Sequence, residues 1–374
     1  MKIAGILLLE QVLTGGTKRY IDLMNGLAKH NDVIIFVNEA IAYEFSNCTT
    51  IPINLKFDKT KRISVQQKVA LKNYLARNFF ATVDYVIVFG ETDIQCALLI
   101  KKKLKTEIVF CYRSSIIDEN NAILKYGSTN LKAKIKLVLE KLITLFREFI
   151  VSRKAKLIMF QTDFDKNNFL HRNKTAANKC HIIPNDILRP RFTEELKNKN
   201  LSEDCRKILY VGNYTKRKGF EILIEAASLL IADNIHITCS VIALQEPPFE
   251  IKQKIKVKKL EKFFLFLPPT KNVMEVMIEH DLVVVPSLFD SYPNVIMEAL
   301  HTGTPVLASN CSGMPYMLPA QDLLFEAGNP ASLAEKIKVC VLDNDYYKSV
   351  KKTCIKRRTF FEFDWVAEWE KVLR

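Results

Sequence analysis

Short apolar runs alternate along the chain with longer stretches whose apolar positions recur every three or four residues. Ile3–Leu9, Val33–Val37, Tyr85–Phe89, Ile108–Cys111 and Leu157–Phe160 contain too few polar positions to expose one face, the pattern of strands in a parallel sheet covered on both sides. Between them, Gly16–Lys29, Val65–Phe80, Thr92–Lys103 and Leu131–Lys156 carry the helical period. Parallel strands need a crossover, and helices of this length supply it, so the series reads as consecutive βαβ units.

The pattern stops after His181-Ile182-Ile183-Pro184-Asn185, passes a polar stretch through Lys197-Asn198-Lys199-Asn200, and restarts. The second series predicts strands at Ile208–Val211, Ile235–Ile242, Phe263–Leu267, Leu282–Val285 and Pro305–Ala308. Helices are predicted over Gly219–Leu230, a charged segment to Leu260, Val273–His280 and Pro293–His301, and then near Pro330–Leu342, Asp345–Arg357 and Trp365–Leu373. At 374 residues the chain exceeds what one core usually supports. The fold class expected is α/β: two doubly wound, Rossmann-like domains over 1–185 and 186–360, with a final helical segment over 361–374. Such sheets take ligands beyond the carboxyl ends of their strands, so loops that follow strands are where chemistry is sought, and a cleft shared by the two domains is expected.

Charge separates the two halves. Residues 1–185 carry 29 Lys/Arg against 16 Asp/Glu, whereas the remainder carries 26 against 25. The excess predicts a polyanionic partner for the first half, or else a solvated lysine-rich surface. Lys101, Lys102, Lys103 and Lys105 form one basic cluster. Leu131–Lys156 forms another, in which Leu131, Ile135, Leu139, Leu142, Leu145, Phe146 and Phe149 share a stripe and Lys132, Lys134, Lys136, Lys141, Arg147, Arg153 and Lys154 fill other positions. Two readings of this helix stand: the stripe packs into its own domain, or it lies on the anionic face of a membrane. Neither cluster has the interleaved aromatics that stack bases, and no zinc finger or RNP-like motif is present, so nucleic acid is not expected as a partner.

The nine cysteines contain no C-x-x-C pair and are odd in number, which argues against a disulfide framework and against a zinc site and fits a reducing compartment. No apolar stretch reaches the roughly 18 residues of a spanning helix, and Glu10 interrupts the first apolar run before any cleavage signal. A cytoplasmic protein, peripheral to the inner face of a membrane at most, is expected. His30, His171 and His280 end helices, and His181 and His236 fall in strand-like runs, so the histidines suggest no metal or triad. Thr162-Asp163-Phe164-Asp165 looks like a D-x-D metal motif, but its place at a helix start reads as capping.

Three stretches follow strands and carry chemistry. Leu13-Thr14-Gly15-Gly16-Thr17 opens a helix with two glycines that let backbone N–H groups approach an anion. It is not G-x-G-x-x-G, which disfavours a nicotinamide dinucleotide. Gly212-Asn213-Tyr214-Thr215-Lys216-Arg217-Lys218-Gly219 places cations where a diphosphate could be held. In Asp290-Ser291-Tyr292-Pro293-Asn294-Val295-Ile296-Met297-Glu298, two carboxylates stand eight positions apart, and a helix start between them offers the N–H groups of Asn294, Val295 and Ile296 to phosphate.

Together with Gly303-Thr304-Pro305-Val306 and Ile183-Pro184-Asn185, these stretches resemble glycosyltransferase family 4, retaining enzymes of GT-B architecture, in features that span almost the whole chain. The resemblance implies a C-terminal domain that binds a nucleoside-diphosphate sugar, with a UDP-sugar favoured, and a final helix that returns to the first domain. It assigns Glu298 to the ribose hydroxyls, Lys218 to the diphosphate, Asn294 and Val295 to the donor phosphate, and Gly212, Asn213 and Arg217 to the rest of the donor site. Gly15 and Gly16 would border the diphosphate from the first domain. The first acid of the family pair is usually Glu, whereas here it is Asp290, one methylene shorter, which would reach sugar hydroxyls. Where relatives often carry arginine this chain has Asn213, and where many carry a histidine after the Cys111 strand it has Tyr112-Arg113-Ser114-Ser115, with Arg113 expected on donor or acceptor phosphate.

The function implied is metal-independent transfer of a hexose to a hydroxyl of an acceptor glycan, lipid-diphosphate-linked, as in surface polysaccharide such as lipopolysaccharide or O-antigen, with no cofactor. The alternatives are a nucleotide-sugar epimerase of the same fold, or a noncatalytic basic membrane- or RNA-binding protein.

Overall fold

The computed structural model describes residues 1–11, 15–58, 60–78, 81–90, 93–126, 131–186, 204–270 and 272–374. The predicted polar linker through Asn200, residues Leu13 and Thr14 ahead of Gly15, and the helix ends placed at Phe80 and Thr92 lie outside them. Two compact units form: Met1–Ile117 with Val138–Pro184 and Trp365–Arg374, and Asp118–Leu137 with Asn185–Asp364.

The first unit is built on β1 (Lys2–Leu7), α1 (Gly15–Leu27), β2 (Asp32–Asn38), β3 (Thr49–Ile53), α2 (Ile63–Arg77), β4 (Tyr85–Phe89), α3 (Ile94–Leu104), β5 (Glu107–Cys111), α5 (Leu131–Lys154) from Val138 onward, β6 (Ala155–Phe160), α6 (Asp163–Arg172) and β7 (Cys180–Ile182), while α4 (Ile116–Tyr126) from Asp118 and the first residues of α5 fall to the second unit. Its sheet runs β3-β2-β1-β4-β5-β6-β7, all parallel. The five apolar runs form the middle of this sheet, where Ala4, Ile6, Val86, Val88, Ile108, Phe110, Ile158 and Phe160 are buried in one core. β3 escaped the sequence pattern because Thr49-Thr50-Ile51-Pro52-Ile53 carries a proline, which an edge strand tolerates and a central one does not. Thr162 caps α6 by accepting the Asp165 N–H at 3.2 Å, so the D-x-D look-alike serves the helix start.

The second unit repeats the plan with β8 (Lys207–Val211), α7 (Phe220–Ala232), β9 (Thr238–Ile242), α8 (Phe249–Val257), β10 (Phe264–Leu267), α9 (Val273–Ile278), β11 (Leu282–Val285), α10 (Asn294–Thr302), β12 (Val306–Ser309), α11 (Met314–Met317), β13 (Leu324–Phe325), α12 (Pro330–Leu342) and α13 (Asn344–Arg358). The strand order is β10-β9-β8-β11-β12-β13, again parallel. The segment expected as a strand from Ile235 is one only from Thr238, although Ile235 and Ile237 still enter the core. Phe361, in the expected C-terminal segment, is buried in this second core.

The last helix, α14 (Trp365–Leu373), packs on α1 in the first unit. Gly26 permits it, since a Cβ there would lie 2.5 Å from Val366. Trp369 stacks on Phe89 with ring centroids 6.2 Å apart, and Glu370 accepts from Asn31 Nδ2 at 3.0 Å.

α5 distinguishes between its two readings. Leu131, Ile135, Leu139, Leu142, Phe146 and Phe149 are exposed, while Thr144, Glu148, Val151 and Ser152 are buried. The reading in which the stripe packs into its own domain is therefore corrected. A buried carboxylate must be paired, and Glu148, 1% exposed, accepts from Arg172 Nε at 2.8 Å and Nη2 at 2.9 Å and from the Tyr112 hydroxyl. That pairing sets the rotation of the helix and turns its apolar side outward.

Arg172→Ala strands Glu148 in the core, so urea denaturation should show the first unit destabilised by about 3–5 kcal/mol; an unchanged midpoint would mean the pair does not anchor α5.

Candidate functional site

In both units the chemistry expected from sequence stands at the carboxyl edge of a parallel sheet, the end where loops leave free backbone groups. In the first unit, Gly15 and Gly16 open α1 after β1, with Gly15 exposed and Gly16 half-buried. Arg113 follows β5, its guanidinium 5.0 Å from the centre of the Phe89 ring at the end of β4. It also hydrogen-bonds Cys111, whose thiol burial pushes up to about 11.

In the second unit, β8 ends at Gly212, whose N–H donates to Ile242 O at 2.9 Å. Asn213 turns to the backbone: its Oδ1 accepts the Leu244 N–H at 3.1 Å, and its carbonyl accepts the Tyr210 hydroxyl at 3.0 Å. The residue ties the ends of β8 and β9. A single 3₁₀ turn, Lys216–Lys218, then leads to Gly219, which has φ +67° and begins α7. Only glycine fits there, because a Cβ would lie 1.8 Å from Pro286 O, inside the loop that follows β11.

That close approach brings two loops together. Leu288 N donates to Arg217 O at 2.8 Å. Lys218 Nζ reaches Asp290 Oδ2 at 2.6 Å, and Arg217 Nη1 reaches the same oxygen at 3.3 Å and Phe289 O at 3.3 Å. Arg217 Nε lies 3.5 Å from Glu119, at the first turn of α4. The Asp290 carboxylate is only 13% exposed. Burial alone would raise its pKa, but the charges of Lys218 and Arg217, the Lys218 hydrogen bond and the Tyr292 N–H outweigh it, and the group is held below the ordinary carboxylate value.

Downstream, Pro293 caps α10 without a side-chain hydrogen bond. The Ile296 N–H, expected to be open to phosphate, instead donates to Pro293 O at 3.1 Å. Asn294 and Val295 occupy the first turn, and Glu298 follows on the same face, four and three residues on, half-buried. Tyr292 OH donates to Asn185 O at 3.2 Å, so the Asn185 backbone supports this loop from behind. The structure thus gathers Arg217, Lys218 and Asp290 at one point and puts Asn294, Val295 and Glu298 on the helix that follows. Sequence reasoning missed Glu119, because nothing local marks a helix residue that meets a loop so distant in the chain. It also missed the loop after β12, where Gly313 N donates to Asp290 O at 3.3 Å.

Among the described residues no group of three His, Cys, Asp or Glu side chains is placed to hold a metal ion.

Residues 192–357 match the family of glycosyl transferases group 1. The chain is 24% identical over 346 residues to the N-acetylgalactosamine-N,N'-diacetylbacillosaminyl-diphospho-undecaprenol 4-alpha-N-acetylgalactosaminyltransferase of Campylobacter jejuni, covering 88% of this chain and 87% of that one. Among solved structures, sucrose-phosphate synthase from Thermosynechococcus elongatus superposes with a TM-score of 0.78 at 17% identity, over 99% of this chain and 98% of that one. Anabaena Alr3699/HepE in complex with UDP-glucose superposes with a TM-score of 0.72 at 15% identity, over the whole of both chains. The likeness to these structures gives the fold, GT-B, with two Rossmann-like units.

Asp290→Asn removes the charge that two cations share and should cost roughly 2–3 kcal/mol at pH 7 by urea denaturation. Because the folded-state pKa is depressed, the advantage of Asp290 is full above the unfolded value, about 3.9, and lost as pH falls through the lower folded value. The difference between wild type and Asp290→Asn should therefore hold from pH 7 to about pH 4 and shrink below; a difference that vanishes near neutrality would contradict the pairing.

Proposed function

We propose that the chain, whose residues 192–357 match the family of glycosyl transferases group 1, is a glycosyltransferase that transfers a hexose, with retention, from a nucleoside-diphosphate sugar to a hydroxyl of an acceptor glycan. The observation that carries the reading is the convergence of Lys218 and Arg217 on Asp290, at the start of the loop that leads into α10. In a buried setting, fixed cations act on charge that develops in the transition state far more strongly than in water.

In this reading Lys218 and Arg217 take the diphosphate, with the N–H groups of Asn294 and Val295 at the first turn of α10. Glu298, one turn further, takes the ribose hydroxyls. Asp290 holds the two cations in place and offers its second oxygen to a sugar hydroxyl. Gly212 lets the backbone come close to the nucleotide, and Asn213 fixes the loop that carries the cations. Gly15, Gly16 and Arg113 are assigned to donor or acceptor phosphate. The bond from the anomeric carbon to the β-phosphate oxygen breaks while the acceptor oxygen bonds to the same face of that carbon, and the acceptor proton passes to the departing diphosphate. The cations stabilise the leaving group, so the reading calls for no metal and no cofactor.

A UDP-sugar is the favoured donor, supported by the UDP-glucose bound to the Anabaena protein of the same fold. The acceptor class proposed is a lipid-diphosphate-linked saccharide in surface-polysaccharide assembly on the cytoplasmic side of a membrane, supported by the diphospho-undecaprenol glycan in the name of the Campylobacter relative.

Incubation with UDP-, GDP- and ADP-sugars should release nucleoside diphosphate from one of them, slowly without acceptor, and the same donor at 100 times its Kd should raise stability by about 2.7 kcal/mol. Lys218→Ala and Glu298→Ala should each lower release by about 100-fold or more. Release at the wild-type rate by both variants would remove the assignment.

A further inference from the structure

The face of α5 that meets solvent is the wrong one for a protein surrounded only by water. With 100° of rotation per residue, Leu131, Ile135, Leu139, Leu142, Phe146 and Phe149 fall within a sector less than about 100° wide. All six are exposed, Leu142 by 59% and Phe146 by 61%. The helix runs 24 residues, about 36 Å. It is held from behind by the Glu148–Arg172 ion pair and cannot roll its stripe inward without breaking that pair.

Charge decides what such a stripe meets. Lys132 borders one side of it, Lys134 and Lys141 the other, and the Arg153 guanidinium lies 4.6 Å from the centre of the Phe149 ring. The two carboxylates of the helix are elsewhere: Glu148 is buried, and Glu140 stands on the opposite side of the wheel. An apolar stripe with cations on both borders and neither carboxylate of its own helix within it complements a surface whose interior is apolar and whose rim is anionic. A second copy of the chain fits less well, because pairing two such stripes would set lysine borders against each other.

We propose that α5 lies in the headgroup region of an anionic lipid bilayer, with Leu131, Ile135, Leu142, Phe146 and their neighbours inserted among the acyl chains and Lys132, Lys134 and Lys141 at the level of the phosphates. The helix lies along the surface; none in the described residues is long and apolar enough to cross it. This docking uses no residue of the donor reading, so either can fail alone.

The test is flotation of the full chain with vesicles of phosphatidylglycerol and phosphatidylcholine, set against vesicles of phosphatidylcholine alone. The protein should float with the first and not the second, and partition should fall roughly five-fold for each of Lys132, Lys134 and Lys141 changed to Gln and fall again as salt rises. Leu142→Ser/Phe146→Ser should abolish flotation while the thermal midpoint stays at the wild-type value, and Leu139→Ser/Phe149→Ser provides an independent pair should the first not fold. Wild-type protein that stays unbound, that floats equally with both vesicles, or that floats no better than a folded double variant would overturn the proposal. So would a wild-type dimer in sedimentation equilibrium that the double variant reduces to monomer, which would give the face to a second copy.

Discussion

The second unit depends on a single close approach. Gly219 sits against the Pro286 carbonyl where no side chain could stand, and the loop after β8 is thereby pressed onto the loop after β11. Once they meet, Arg217 and Lys218 both direct charge to one oxygen of Asp290, and Arg217 reaches Glu119 as well. A buried carboxylate with two cations is a costly arrangement that persists only with good geometry, and the backbone hydrogen bond from Leu288 N to Arg217 O fixes that geometry. The cations so held carry the proposed donor chemistry.

Both sheets are parallel throughout, and this determines where chemistry can stand. Every loop that carries a candidate residue leaves the carboxyl edge of its own sheet: Gly15 after β1, Arg113 after β5, Lys218 after β8, Asp290 after β11. Strands buried on both faces have no room for functional side chains, so the candidate residues fall on these loops and on the helix starts that follow them.

Much of this was legible in the chain. Central strands such as Tyr85–Phe89 and Leu282–Val285 are written as apolar runs because both of their faces are covered. The edge strands β3 and β13 are not: β3 carries threonines and a proline, and β13 is two residues long, so neither repeats a pattern long enough to read. The stretch Asp290–Glu298 and the lysine at 218 could be singled out because proline, glycine and charge mark a strand-to-helix turn. That Lys218 would spend its charge on Asp290, that Asn213 would tie two strand ends, and that Glu119 would reach Arg217 are pairings across long sequence separations, which local pattern does not encode. The rotation of α5 was hidden for a related reason. Periodicity gives a stripe but not its direction, and here one buried ion pair overrides the usual rule that the apolar side turns inward.

The most direct measurement is an experimental structure of the chain with a nucleoside diphosphate bound. The account predicts a phosphate oxygen within hydrogen-bonding distance of Lys218 Nζ, the ribose hydroxyls on Glu298, and the α10 N-terminus facing the diphosphate. A nucleotide seated elsewhere, with Lys218 still paired only to Asp290 and Glu298 turned away, would contradict it.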